Sequence, residues 1–418
     1  MRTNTIEIFS KDYWRNADEV AARLREEGPA HRAVLPDGVP VWVISRDEEA
    51  RAAFGHPLLS KESEIVGKCI GAALVAAGHS PDLSEMFSPS MLFRDPPAHT
   101  RLRRLLQRDF TGRRIELLRP RVEQITGRLL DGLPDEGVVD LMAAFAFPLP
   151  VTVICELLGI ADEGSFREWT AELVKDDPAK IKPANDAMKD YFERVIAAKR
   201  AHRGDDLLSA LIHPADPADK LTDAELIGTA FLLFVAGHET TMNLIGNMAR
   251  GLMPNPAAWQ SLSIDPGLVP GAVEEVLRHD SPVRTATHRV AVGDVDLGGG
   301  TVIPEGAIVL ILLGAANRDQ RRHGDTADVL DIRRGHGRGH LTFGHGIHYC
   351  LGAPLARMEA TIALRELAAR FPNARLAVPV DDLPQRPSVN VKGVEELPVE
   401  LRPMWKSLRR RERRLQAV

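Results

Sequence analysis

Cysteine is scarce in this chain. Cys69, Cys155 and Cys350 are all that 418 residues contain, and three thiols cannot build a disulfide framework. Cys69 and Cys155 read as small buried hydrophobes. Long apolar runs are also missing. The longest, such as "AIVLILL" (Ala307 to Leu313), fall far short of the roughly 18 residues a membrane span needs, so no membrane association is expected. The opening "MRTNTIEIFSKDYWRNADEV" has no apolar stretch of the kind a secretory signal carries, and a cytoplasmic protein is expected. Positive charge is not in excess either: the formal net charge is -5, which disfavours a nucleic-acid partner for the average surface. Internal repeats, low-complexity linkers and sharp shifts of composition are absent. A length prior allows two or three domains, but no boundary appears. The segment 406–418, "KSLRRRERRLQAV", is a basic tail, read as a solvated or frayed helix end, the sharper alternative being a contact for an acidic partner or nucleic acid.

With 44% hydrophobic and 27% charged residues, the composition is that of a globular protein able to bury a large core. "PVWVIS" (Pro40 to Ser45) reads as an early strand. From Thr100 to about Arg203 apolar residues recur at three- and four-residue spacing, which predicts a mostly helical stretch. Strand signals return after Pro282 in "HRVAV", "VDLGGGTVI" and "AIVLILL", the glycines marking a hairpin turn. "LTDAELIGTAFLLFVAGHETTMNLIGNMARGL" (Leu221 to Leu252) predicts one long helix, opened by a capping box from Thr222 and Glu225. At about 1.5 Å per residue it would span about 45 Å. A last helix is predicted from Pro354 to Phe371. The fold class is mainly α, with small β-sheets near the start and in the last third.

The chemistry concentrates in "FGHGIHYCLG" (Phe343 to Gly352). Cys350 precedes a helix whose first turn holds Pro354, and free amides at a helix start favour an anion. A lowered thiol pKa is therefore expected for Cys350. Gly344, Gly346 and Gly352 remove bulk, so a large flat group can approach the backbone. Three chemistries compete. Zinc would draw on His336, His340, His345, His348 and Cys350, but the spacing matches no common ligand pattern and a second thiolate is missing. A nucleophilic cysteine needs a base and an oxyanion site that the sequence does not reveal. The third is axial thiolate ligation of haem iron.

The run F-G-x-G-x-H-x-C-x-G followed by "APLARME" resembles the cytochrome P450 superfamily of haem-thiolate monooxygenases. "AGHETT" resembles that family's oxygen-activation segment. "VEEVLRH" matches its E-x-x-R through Glu275 and Arg278, about 75 residues ahead of Cys350. The resemblance runs from about Phe9 to Leu401 and is strongest from Ala236 to Glu359. It implies a P450 fold, a helix-rich, prism-shaped single domain with haem b (iron protoporphyrin IX) between the long central helix and the cysteine-loop helix. It implies Cys350 as the iron ligand, with His99, Arg103, Arg289 and His348 contacting the haem propionates. Glu239 as acid and Thr240 as alcohol would serve oxygen activation, the helix loosening around them. Glu275 and Arg278 would form a buried ion pair, with Arg334 rather than Arg333 as further partner. The implied activity inserts one atom of O2 into a small hydrophobic molecule by hydroxylation or epoxidation, in natural-product biosynthesis or xenobiotic metabolism. The alternative is a haem-thiolate sensor or carrier without turnover. Electrons would come from NAD(P)H through ferredoxin reductase and ferredoxin, docking near Arg103 and Arg104 on a monomer. Substrate would be lined by the Lys61–Phe93 loop, by residues near Leu232 to Thr240 and by Pro282 to Thr287. Arg284 and His288 read either as polar substrate contacts or as structural residues.

Overall fold

The computed structural model describes residues 6–401, apart from 11, 12, 15, 80–88, 135, 162, 163, 165, 175–177, 299 and 336–338. The basic tail and His336 thus lie outside the described residues. Helix dominates from Ala98 onward, as the apolar spacing predicts. Helices Ala98–Gln107, Gly112–Asp131, Pro148–Leu158, Phe166–Val174 and Pro178–Ala201 follow one another, interrupted by a short strand that the periodicity did not signal.

The central helix, Asp223–Leu252, starts where its capping box puts it. Thr222 Oγ1 accepts from the Glu225 amide at 3.2 Å, and Glu225 Oε2 accepts from the Thr222 amide at 2.9 Å. Two orphan donors of the first turn are satisfied in this way. From His238 on, nearly every residue is buried, polar ones included. A helix apolar almost all round belongs in the middle of a core. It packs against Pro148–Leu158, against the cysteine-loop helix Ala353–Arg370 and against Val269–His279. Gly246 makes room for a neighbouring side chain: a Cβ there would stand 2.6 Å from Met142 Sδ.

Among the described residues eleven strands, all short, are scattered along the chain: β1 (Ile6–Glu7), β2 (Ala30–Val34), β3 (Pro40–Ile44), β4 (Leu59–Ser60), β5 (Gly137–Asp140), β6 (Arg289–Ala291), β7 (Val295–Asp296), β8 (Val302–Ile303), β9 (Ile308–Ile311), β10 (Arg375–Leu376) and β11 (Pro398–Leu401). The early and late strand regions are not separate sheets. They join in one six-stranded sheet of order β1-β2-β3-β9-β6-β4, through the parallel pair β3–β9. All four residues of β9 are buried, which fits a strand covered on both faces. β7 and β8 form the expected hairpin. β5 pairs with β11 near the end of the described chain, so its partner was beyond the reach of local periodicity. Among the described residues no helix is long and apolar enough to cross a membrane.

Candidate functional site

The cysteine loop is shaped by its glycines. Gly344 and Gly346 adopt φ of 74° and 70°, left-handed values that a Cβ disfavours. The turn closes with the Cys350 amide donating to the Phe343 carbonyl at 2.8 Å. The Gly352 and Ala353 amides reach the Cys350 sulfur, as a helix start should offer. The expected lowering of its pKa does not follow. Burial pushes the Cys350 thiol up, and the two amides with Arg103 and Arg357 only partly offset it. A raised thiol is a poor nucleophile, whereas a bound metal cation deprotonates it outright. Zinc finds no ligand set: among the described residues no three His, Cys, Asp or Glu side chains converge. His340 turns instead to Glu274, and His345 is exposed.

Two adjacent carboxylates on the helix Val269–His279 brace this loop. Glu275 is fully buried. It accepts from Arg278 at 2.8 and 2.9 Å, from Arg334 Nε at 3.1 Å and from the Asp331 amide at 3.0 Å. Arg334 is therefore the third member, while Arg333 is exposed. Arg278 also donates to the carbonyls of Asn317, Ala327 and Val329. Burial opposes the Glu275 charge, but these donors outweigh it and hold the carboxyl below its usual range. Glu274 faces the other way. Arg357 grips it at 2.6 and 3.0 Å, and His340 Nε2 donates at 3.2 Å. Against the effect of burial, they hold Glu274 down to about 2. The Arg357 guanidinium lies 4.4 Å from the centroid of the Phe343 ring and donates to the Tyr349 hydroxyl. The motif search missed this second brace. Its only trace in sequence is the doubled glutamate of "VEEV".

On the other side of the loop, cations gather. The rings of His99 and His348 touch at a tilt of 52°, with centroids 4.2 Å apart. Both nitrogens of His99 and Nε2 of His348 are buried without a partner. Burial, then the charge of Lys61, His99, Arg289 and Arg103, pushes His348 down to about 2. Burial and Arg103 lower His99 as well. Buried Arg289 falls to about 10, its guanidinium over the Phe54 ring. Sequence reasoning missed Lys61. The antiparallel register of β4 and β6 pairs Ser60 with Val290, which carries Lys61 to Arg289. Burial holds its ammonium well below the usual lysine range, and it donates to Thr287 Oγ1 at 2.6 Å. The carboxylate acting on this cluster is Asp95, already engaged by Ser60 Oγ at 2.6 Å and the Lys61 amide at 3.2 Å. Lys61, Arg103 and Arg289 thus outnumber the Asp95 carboxylate, and the neutral rings of His99 and His348 add buried nitrogens without partners. Buried polar groups without partners are costly, and this surplus fits a ligand bearing carboxylates. With the Cys350 thiol beside Arg103, the donor set fits haem.

In the middle of the central helix, Ala236 is exposed and Thr240 half-buried. Thr240 Oγ1 donates to the Ala236 carbonyl at 2.9 Å. The helix runs unbroken through this point. The expected loosening is absent, because that carbonyl is satisfied within the helix. Glu239 is buried, and Arg386 Nη1 donates to its Oε2 at 2.8 Å. Arg284 is a structural residue. Arg284 donates to the Val391 carbonyl and stacks over Trp14, and burial pushes His288 down to about 4. Thr285, from the expected substrate stretch, donates to the Val389 carbonyl. On the outer face, a cleft of about 600 Å³ is lined by Arg103, Arg104, Arg108 and Ile347. Arg104 and Arg108 both hold Asp219 at 2.8 Å.

The profile of the family described as Cytochrome P450 matches residues 267–379. Cytochrome P450 107B1 of Saccharopolyspora erythraea is 48% identical over 90% of this chain and 93% of its own length. Cytochrome P450 monooxygenase PikC of Streptomyces venezuelae is 46% identical over 91% of this chain and 90% of its own. The solved structure of the tirandamycin C-bound P450 monooxygenase TamI superposes with a TM-score of 0.88 at 46% identity, covering 95% of this chain and all of that one.

Proposed function

The chain belongs to the cytochrome P450 family and is a haem-iron monooxygenase acting on a small molecule with O2, and from that premise we propose which of its residues do the work. Cys350 ligates the iron of haem b. His99, Arg103, Arg289 and His348 hold the propionates, and Lys61 joins them. When bound, the haem supplies oxygen activation and insertion. The Gly352 and Ala353 amides stabilise the thiolate sulfur by hydrogen bonding, as outer-shell donors do at metal sites. Thr240 presents its hydroxyl for oxygen activation, and Glu239 carries protons toward it from solvent. The observation that carries this reading is the coincidence of one thiol at a helix start with the cations Lys61, Arg103 and Arg289 and the unpartnered rings of His99 and His348, set against one carboxylate, Asp95.

In the same reading residues 1–405 form one haem domain, with 406–418 a basic extension, and the protein works as a cytoplasmic monomer. Ferredoxin, reduced by a ferredoxin reductase, docks at the cleft beside Arg103 and Arg104. The substrate is a sizeable hydrophobic natural product or xenobiotic, met by the apolar helix Ser63–Ala76. The TamI relative was solved with tirandamycin C bound, which supports a small-molecule substrate.

Screening compounds for a shift of the ferric haem band identifies a ligand. That ligand should then raise NADPH consumption with surrogate ferredoxin and reductase and yield an oxygenated product. Tight binders with no turnover would instead identify a haem-thiolate sensor. Thr240→Ala is expected to cut oxygen-driven product formation about 100-fold while sparing the peroxide-driven reaction. Equal loss in both would remove Thr240 from proton delivery.

The propionate assignment makes a separate prediction. A charge-assisted hydrogen bond is worth about 1.5–3 kcal/mol. Lys61→Ala and Arg289→Ala should therefore each speed haem transfer to apomyoglobin by about 10- to 100-fold. Wild-type transfer rates in both variants would refute it.

A further inference from the structure

We propose that Arg386 is a positioning residue for proton delivery, holding the Glu239 carboxylate by one oxygen and leaving the other free to carry the proton. This rests on the reading of Glu239 as the acid.

Glu239 sits in the middle of the buried central helix with its side chain 4% exposed, and the Arg386 side chain is 12% exposed. Their contact, Nη1 to Oε2 at 2.8 Å, joins positions 147 residues apart. Oε1 lies 3.8 Å from His238 Nε2. That nitrogen is not a donor to it. His238 Nδ1 is 2.7 Å from the Phe234 carbonyl, and since a carbonyl accepts, Nδ1 bears the proton. Burial keeps His238 below its usual range, so the ring is neutral and Nε2 is bare. Among the described residues, Arg386 is therefore the donor to this carboxylate, and Oε1 has none.

Arg386 is itself fixed to the helix that bears Glu239. Its amide donates to the Gly393 carbonyl at 3.0 Å, and Gln385 bridges Val394. Asn247, two turns beyond Glu239, donates to the Lys392 carbonyl at 3.0 Å. Gly393 lies so close that a Cβ on it would stand 1.9 Å from Asn243 Oδ1. Acid and arginine thus share one rigid frame, which limits the orientations open to the carboxylate. A proton taken up from a solvent hydronium, which leaves as water, forms an O–H bond at Oε1. That bond breaks as the proton passes to the Thr240 hydroxyl oxygen, which releases its own proton onward, and the carboxylate paired with Arg386 is restored. A buried carboxylate without a partner would not hold one geometry or one charge state.

The test needs no organic substrate. Full-length holoprotein with surrogate ferredoxin and reductase consumes NADPH and O2, and a failing proton supply appears as hydrogen peroxide released per NADPH. Glu239→Gln should raise that ratio several-fold, and Arg386→Gln should raise it to a similar level. Arg386→Lys, which keeps charge and donor, should return it toward wild type. The double variant Glu239→Gln/Arg386→Gln leaves no buried unpaired charge. It should match Glu239→Gln alone, and it carries the test if Arg386→Gln is recovered without haem. Infrared difference spectra of the resting ferric protein should show a carboxylate band that moves in Arg386→Gln and does not move in the Glu239→Gln background. If Glu239→Gln raises peroxide while Arg386→Gln stays at the wild-type ratio, or if the two effects add, Arg386 has no part in positioning the acid. If Glu239→Gln itself leaves the ratio unchanged, the assignment of the acid falls first.

Discussion

Cys350→Ala is expected to abolish oxygen-driven turnover and to remove the thiolate-type absorption band of the reduced protein under carbon monoxide. Loss of outer-shell partners at metal sites already costs about 10- to 100-fold, and loss of the ligand itself should exceed that. The physical ground is the environment of the sulfur. Burial raises the thiol's pKa, and the amides of Gly352 and Ala353 with Arg103 and Arg357 do not fully reverse it. The thiolate therefore depends on a bound cation for its stability. Alanine keeps the backbone turn, including the amide donation to Phe343, so the fold should survive while haem binds weakly through the propionate cations alone. Spectra of the purified variant decide the matter. A variant that kept both the band and turnover would end the account of this site.

Glu275→Ala should be the most destabilising single change away from the sulfur. Glu275 is the hub for Arg278, Arg334 and the Asp331 amide, and it is wholly buried. Its loss strands two guanidinium groups, and breaking a buried pair by removing one partner costs about 3–5 kcal/mol. The midpoint of denaturant unfolding should fall, and most of the expressed protein should lack haem, because the same helix holds Thr342 at the mouth of the cysteine loop. An unchanged midpoint with full haem content would contradict this. Acid should undo the brace as well. Both glutamates are depressed in the folded state, Glu274 from 4.5 to about 2. Such groups stabilise the fold fully above their unfolded values, and that contribution is lost as pH falls through the folded ones. Stability and haem retention measured from pH 5 downward should therefore decline together.

How much of this was legible beforehand differs from residue to residue. Thr222 and Glu225 announce the start of the central helix because a capping box is a local event, complete within four residues. Cys350 is legible for the same reason, since the glycines, the thiol and the helix start lie in one short run. Glu275 and Arg278 are legible as a pair on one helix turn, and Arg334 only by resemblance. Arg386, Lys61 and Glu274 were not legible. A lone arginine near the end of a chain looks like any surface charge, and nothing adjacent to it mentions Glu239. Polar residues at Glu239, Asn243, Asn247 and Arg250 recur at helical spacing, but the reason for them is the C-terminal loop and Asp280 lying against that face.

The amino-acid order by itself determined the helical class, the helix starts, the cysteine turn and the family, because each depends on residues within hydrogen-bonding or packing reach along the chain. Only the tertiary structure decided which charges are paired, that the early and late strands make one sheet, and that the Cys350 thiol is raised rather than lowered. Those outcomes depend on burial and on partners distant in sequence. The free energy of a charge is set by what surrounds it in space, and neighbours along the chain are a small part of that surrounding.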